Sequence, residues 1–232
     1  MYILVDFEGE YGRQYNNIIE QAMPGYVGLS KLILAILRSY MKAGGNLLVI
    51  GAGGGNELVS LAMEGWYITG IDSSPQMLEL AEQRLSKIKP KSKIELLCDR
   101  FENFESGKEF DAITSILVMQ FLPDDGSKSN FLKKVFLHLK EGAIYIHVDV
   151  CRLPNAPMDT VGEIAINYLM TTDLVHNRDE AAKFHKNVSS GGYFSETTRV
   201  EDLFREAGFI QIQQIYQGLY YCGWMMKRGP LK

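Results

Sequence analysis

The chain has 232 residues, 46% of them hydrophobic, enough to bury one sizeable core in one α/β domain with a small appendage. A net charge of −4 and a pI near 5.6 argue against a dedicated nucleic-acid surface, which would carry a basic stripe. Cys98, Cys151 and Cys222 are far apart, odd in number and without a CxxC pair, so neither a disulfide framework nor a zinc or other metal site is expected.

The amino terminus MYILVDFEGE is too short and too acidic for a signal peptide, and no apolar run approaches ~18 residues. A soluble cytoplasmic protein with no membrane partner is expected. Leu29, Leu32, Ile33, Ile36, Leu37, Tyr40 and Met41 recur at helical spacing, and Gly44-Gly45 stops that helix. Strand and helix patterns then alternate, as in a parallel sheet built from βαβ units. Strands are predicted at 47–50, 66–71, 93–98, 111–116 and 143–150. Helices are predicted at 56–64, from Pro75 to about Lys89 with Ser73 or Ser74 as cap, and from Asn130 to Leu139, ending at Gly142. The pattern breaks over residues 151–198, which hold Pro154, Pro157, a helical stretch near 163–174 and a polar segment ending in Ser189-Ser190-Gly191-Gly192. This segment is expected to be an insertion covering the strand tips. A helix from Val200 to Glu206 and a hairpin, 209–216 and 219–227, close the chain.

The most informative stretch is LLVIGAGGGNELVSLAMEGWYITGID, residues 47–72. Glycines at a strand tip let the backbone turn sharply and let a ligand lie against it. A carboxylate at the next strand tip, Asp72, can accept hydrogen bonds from both hydroxyls of a ribose. A dinucleotide fingerprint, GxGxxG, counted from Gly51 would place its third glycine where Asn56 stands, which counts against a dehydrogenase. The spacing of Gly51, Gly53 and Gly55 fits a smaller ligand with an amino acid carboxylate near the helix start. Asp99, in LLCDRF, can accept from an adenine amino group with Phe101 beside the ring, and FDAITS runs into an apolar ledge, ILVMQFLPDD.

With GAGGG, GIDSS, CDRF, FDAITS and the terminal hairpin in order, the chain resembles the class I S-adenosylmethionine-dependent methyltransferases over roughly residues 45–150 and 199–227. That resemblance implies one three-layer Rossmann-like α/β domain over residues 1–232. Its mostly parallel seven-stranded sheet would end in a C-terminal antiparallel hairpin, with an amino-terminal lid and helix at 1–44 and an acceptor-covering insertion at 151–198. It implies S-adenosyl-L-methionine as cofactor and methyl transfer to a small molecule. Carried over by position, Gly51, Ala52, Gly53 and Gly55 would approach the methionine moiety, which Ile116 would meet with its backbone. Asp72 and Ser73 would hold the ribose, Met77 would pack on the adenine edge, Asp99 and Arg100 would sit at the adenine amino group, Phe101 would lie on its face, and Gln120 would lie near the sulfonium.

Within that family, MPGY at 23–26, IDSSPQM at 71–77, MQFL at 119–122, and AGF with YQGLYYCGWMMK in 207–227 resemble the carboxy-S-adenosylmethionine synthase group. That group has an arginine in the helix before AGF that grips the extra carboxylate of its product. Leu203 stands there in this chain, with Arg199 and Arg205 out of register. An ordinary methyl donor is therefore the expectation. Carboxyl transfer and a non-catalytic cofactor-binding protein are the alternatives.

In-line displacement from a sulfonium depends on holding the acceptor atom about 3 Å from the methyl carbon. A general base is needed only where the acceptor must lose a proton. The candidates are Asp149, at the carboxyl end of a strand where open α/β sheets place ligands, and His147, whose facing depends on strand alternation. Tyr26, in PGY, is a candidate contact to cofactor or acceptor. His185, His138 and His176 read as surface residues, and an amino-terminal segment with Tyr11 and Tyr15 as a cover for the site.

Overall fold

The computed structural model describes residues 6–154 and 158–231, without the side chains of residues 158 and 159. Residues 1–5 of the expected lid and Pro157 of the expected insertion lie outside the described residues. Among the described residues, seven strands form one sheet: β1 (Asn46–Ile50), β2 (Tyr67–Asp72), β3 (Lys93–Cys98), β4 (Phe110–Ile116), β5 (Leu139–Val150), β6 (Phe209–Gly218) and β7 (Tyr221–Arg228). Their order is β3-β2-β1-β4-β5-β7-β6. β1 to β5 pair in parallel, and β7 runs antiparallel between β5 and β6. The order reverses between β1 and β4, so their carboxyl ends open a crevice.

Among the described residues, eight α-helices accompany the sheet: α1 (Glu10–Ala22), α2 (Tyr26–Tyr40), α3 (Asn56–Leu61), α4 (Pro75–Leu85), α5 (Ser127–His138), α6 (Met158–Leu169), α7 (Arg178–Ser190) and α8 (Thr197–Glu206). Strand alternation divides the core in two. Leu47 and Val49 of β1 face a cluster with Leu29, Ile33 and Leu37 of α2, while Leu48 and Ile50 face one with Phe131, Leu132 and Val135 of α5. No described helix is long and apolar enough to cross a membrane.

Several expected boundaries move. Helix α3 stops at Leu61 and α4 at Leu85. β5 begins at Leu139, where a helix end was expected. Gly142 takes φ +74 inside the strand, and the pairing with β4 slips between Phe110 and Ala112. In the insertion, α6 occupies 158–169 instead of 163–174, and α7 replaces the expected polar segment. Asn177 caps α7 by accepting from the Glu180 N–H at 2.9 Å, and Glu180 reaches back to the His176 N–H.

Candidate active site

The glycine turn after β1 is tied to the end of β2. The Gly51 and Ala52 amides donate to the Ile71 carbonyl at 2.8 and 3.0 Å, and the Gly53 amide donates to Asp72 Oδ2 at 2.8 Å. Asp72 Oδ1 accepts from the Ser74 amide at 2.9 Å. Burial raises the Asp72 carboxyl above the ordinary aspartate range, with the Glu8 charge adding to the effect. Gly53 sits at φ +52 facing open space, since a Cβ there would find Met77 Cε at 3.6 Å. Gly55 serves another purpose. At φ +79, its absent Cβ would lie 3.0 Å from Ala81 of α4, so it lets the two helices pack.

The turn forms one wall of a cleft of about 760 Å³ at the crevice. Gly51, Gly53, Asp72, Ser73, Met77 and Ile116 line it together with Asp99, Arg100 and Phe101, and the Asp99 amide donates to the Asp72 carbonyl at 3.0 Å. Ser74 caps α4 by accepting from the Met77 amide at 3.1 Å, which fixes the start of the helix beside the cleft. Asp99 is exposed, and hydrogen bonds from Asn103 and the Arg100 amide lower its pKa. Arg100 is exposed as well, 3.6 Å from Glu102. Phe101 packs its ring on Phe131 at 5.2 Å between centroids.

Helix α1 and residues 6–8 border the cleft. Asn16 Nδ2 donates to the Gly54 carbonyl at 3.0 Å, and Gln76 Nε2 donates to the Phe7 and Gly9 carbonyls at 2.9 Å each. Phe7 and Tyr15 thereby line the cleft. Behind the glycine turn lies a recess of about 20 Å³, lined by Ala52, Asn16, Tyr26, Asn56 and Glu57. Tyr26 faces this recess, not the main cleft, and donates to Glu57 Oε1 at 2.6 Å. Asn16 Oδ1 and Asn56 Nδ2 are buried here with no hydrogen-bond partner among the described residues.

The other candidates stand behind the ledge that follows β4. His147 and Asp149 are 0% and 2% exposed and line no part of the cleft. His147 Nδ1 meets Ser115 Oγ at 3.1 Å and the Tyr145 hydroxyl at 3.0 Å, and Nε2 lies 3.5 Å from Asp149 Oδ2. Asp149 Oδ1 accepts from the Gln120 amide at 3.2 Å, and Gln120 Oε1 accepts from the Val150 amide at 3.0 Å. Strand alternation explains His147, which points into the α5 and α8 layer against Phe204 and Trp224. Gln120 likewise misses the cleft and lines a separate chamber. Buried Lys128 props the ledge, its Nζ donating to the Met119 carbonyl at 3.2 Å and to Tyr193 of the insertion at 2.8 Å.

Leu203 is fully buried in the core, while Arg199 pairs with Asp124 at 2.9 Å and Glu206 at 3.0 Å, away from the cleft. His176 is exposed, but His138 is half-buried beside Phe104. His185, expected in solvent, is half-buried between Gly162 and Tyr220, and burial lowers its pKa. No cluster of three or more His, Cys, Asp or Glu suited to a metal occurs among the described residues. The contribution of α7, whose Phe184 and Val188 line the chamber beside Gln120, was not expected; the Asn177-x-x-Glu180 cap was its signal.

Residues 48–145 match a family model described as a methyltransferase domain. Carboxy-S-adenosyl-L-methionine synthase of Mannheimia succiniciproducens is 23% identical over 144 residues, covering 60% of this chain and 59% of the relative. The chain thus aligns with less than two thirds of that relative's length. A S-adenosylmethionine-dependent methyltransferase from Clostridium acetobutylicum superimposes with a TM-score of 0.66 at 16% identity, over 96% of this chain and all of the other. The N-methyltransferase NodS from Bradyrhizobium japonicum, solved with S-adenosyl-L-homocysteine, gives 0.60 at 16% identity over 88% of each chain. The fold is that of the class I S-adenosylmethionine-dependent methyltransferases, and residues 48–145 are similar to a methyltransferase domain.

Proposed function

We propose that the protein is an S-adenosylmethionine-dependent methyltransferase acting on a small-molecule acceptor. The observation that carries this is Asp72, fixed by the Gly53 and Ser74 amides on the wall of a 760 Å³ cleft, with Asp99 and Phe101 following the neighbouring strand tip. Such a cleft suits a nucleoside, with ribose hydroxyls on Asp72 and the adenine between Met77 and Phe101. The partnerless Asn16 Oδ1 and Asn56 Nδ2 give the fit a second support. A buried acceptor and a buried donor beside Glu57 match the ammonium and carboxylate of an amino acid end.

When bound, S-adenosylmethionine supplies a methyl carbon that takes the acceptor's lone pair as the C–S electron pair returns to sulfur, leaving the thioether. The chain's part is positioning. Phe7 and Tyr15 cover the cleft and exclude water, and the ledge from Leu117 to Leu122 limits the approach of the acceptor. His147 and Asp149 hold the ledge from behind, so a proton released by the acceptor leaves by solvent. The net charge of −4 favours a small molecule over nucleic acid, and three free cysteines suit a reducing cytoplasm.

The curated relatives favour a second reaction, carboxyl transfer to the same cofactor. Leu203 in the core and Arg199 in a surface ion pair leave this chain without the arginine that the synthase resemblance calls for. Mass spectrometry of the ligand that copurifies with the native protein tests both. S-adenosylmethionine or S-adenosylhomocysteine supports methyl transfer, and the carboxylated cofactor overturns it.

A further inference from the structure

Residues 6–9 run into α1 as a strap whose anchors lie on three different elements. The Phe7 ring stands edge-on to Phe121 of the ledge after β4, at 5.9 Å between centroids. Asn16 of α1 donates to the Gly54 carbonyl in the glycine turn after β1. Gln76 of α4, the helix that follows β2, donates to the Phe7 and Gly9 carbonyls. β2 and β4 flank β1 in the sheet, so a segment tied to the elements that follow both of them crosses the tip of β1. From this strap Asp6, Phe7 and Glu8 line the same cleft as Gly51, Gly53 and Asp72.

Gln76 is the strap's fastening. It follows Pro75 in the first turn of α4, whose start Ser74 caps, so its backbone is held in place. Both hydrogens of its amide go to the two carbonyls, at 2.9 Å each. The other hydrogen bonds of residues 6–9 among the described residues are local. The Glu8 amide donates to Asp6 Oδ1 at 3.0 Å, the Gly9 amide to the Asp6 carbonyl at 3.4 Å, and the Arg13 amide to the Gly9 carbonyl at 3.3 Å. Gly12 of α1 makes the fastening possible. It is buried, and a Cβ there would run into the Phe7 carbonyl and lie 2.6 Å from Gln76 Nε2. Gln76 itself lines no part of the cleft, so it acts on a ligand only through the strap.

We propose that Gln76 is a positioning residue: it fastens the strap across the crevice and thereby sets how fast the cofactor enters and leaves. The proposal rests on the methyltransferase function, which puts S-adenosylmethionine in this cleft. Phe7 and Glu8 lie on the strap, so releasing Gln76 frees both from the cleft wall. The fastening joins protein groups alone, so it must open for entry as it does for release. That gives it a kinetic signature. Losing a group that touches the cofactor speeds release and weakens affinity in proportion. Losing a fastening speeds both rates and leaves affinity nearly unchanged.

The test uses the full chain and tritiated S-adenosylhomocysteine, mixed rapidly for association and chased with excess unlabelled ligand for release. Gln76→Glu keeps the side chain's shape but sets a carboxylate against two carbonyl oxygens. Both rates should rise about tenfold, with the dissociation constant within about threefold of the wild type. Gly12→Ala parts the same carbonyl and amide from the α1 side and should give the same pattern. In both variants hydrogen exchange should quicken at the Gly9 and Arg13 amides and stay unchanged in β1 to β5. An unchanged release rate in both variants overturns the proposal. Faster release with unchanged association and proportionally weaker affinity overturns it too, as does a loss of protection throughout the sheet. Failure of the wild type to bind S-adenosylhomocysteine is a separate result, and it counts against the methyltransferase function itself.

Discussion

Asp72 and Gly53 lock two strand tips together: the carboxylate at the end of β2 accepts the amide of the turn after β1 at 2.8 Å. One carboxylate thereby shapes the glycine turn and faces the cleft. Asp72→Ala should weaken S-adenosylhomocysteine binding about 10- to 100-fold, since hydrogen bonds to a charged group contribute about 1.5–3 kcal/mol each. Calorimetric titration measures it. An unchanged affinity would place the ribose elsewhere.

The same carboxylate gives binding a pH dependence. The ionised form is the better acceptor for ribose hydroxyls, so affinity is full above the pKa of the free protein and falls as pH drops through it. Burial raises that pKa, so the decline should begin at a higher pH than an exposed aspartate would give. Asp72→Asn should remove this step from the affinity profile. A profile that keeps it in the variant assigns the titration to another group.

Two neighbouring glycines should fail differently. Gly55→Ala drives a methyl against Ala81 at 3.0 Å and forces φ +79 on alanine, so its main effect should be a lower melting temperature. Gly53→Ala has room within the protein but points its methyl at the cleft, so affinity should fall further than the left-handed cost of about 1–2 kcal/mol explains. Melting curves and S-adenosylhomocysteine titration on both variants separate the two roles. Equal loss of stability in both would mean that Gly53 serves the turn alone.

His147 and Asp149 sit behind the ledge, outside the cleft. His147→Gln and Asp149→Asn should therefore lower thermal stability while keeping methyl transfer within about tenfold of the wild type. A loss in the range of about 10²–10⁴, typical of a missing acid or base, would mean that a proton path crosses the ledge. Single-turnover rates with the acceptor, once it is identified, decide between these outcomes.

Much of this was legible in the sequence because the signals were local. The glycine turn, Asp72, the Ser74 cap and the apolar strands each follow from residues within a few positions of one another, and the methyltransferase fold follows from their order. The surroundings of Tyr26, Gln120 and His147 were not legible, for another reason. Their facing depends on which layer packs on the far side of the strand, and the α8 residues against His147 come 57 positions later in the chain at Phe204. Gly55 resembled its neighbours in sequence, and only the approach of α4 gives it a packing role. The chamber was the least legible, because it is assembled from α1, α7 and two strand tips, and α7 was hidden by its polar composition.

The most direct measurement is a calorimetric titration of the native protein with S-adenosylhomocysteine, run beside NADH. Saturable one-to-one binding of S-adenosylhomocysteine in the micromolar range, with no heat from NADH, is the predicted result. A flat S-adenosylhomocysteine titration, or saturation by NADH, would contradict the assignment of this cleft to a methyl donor.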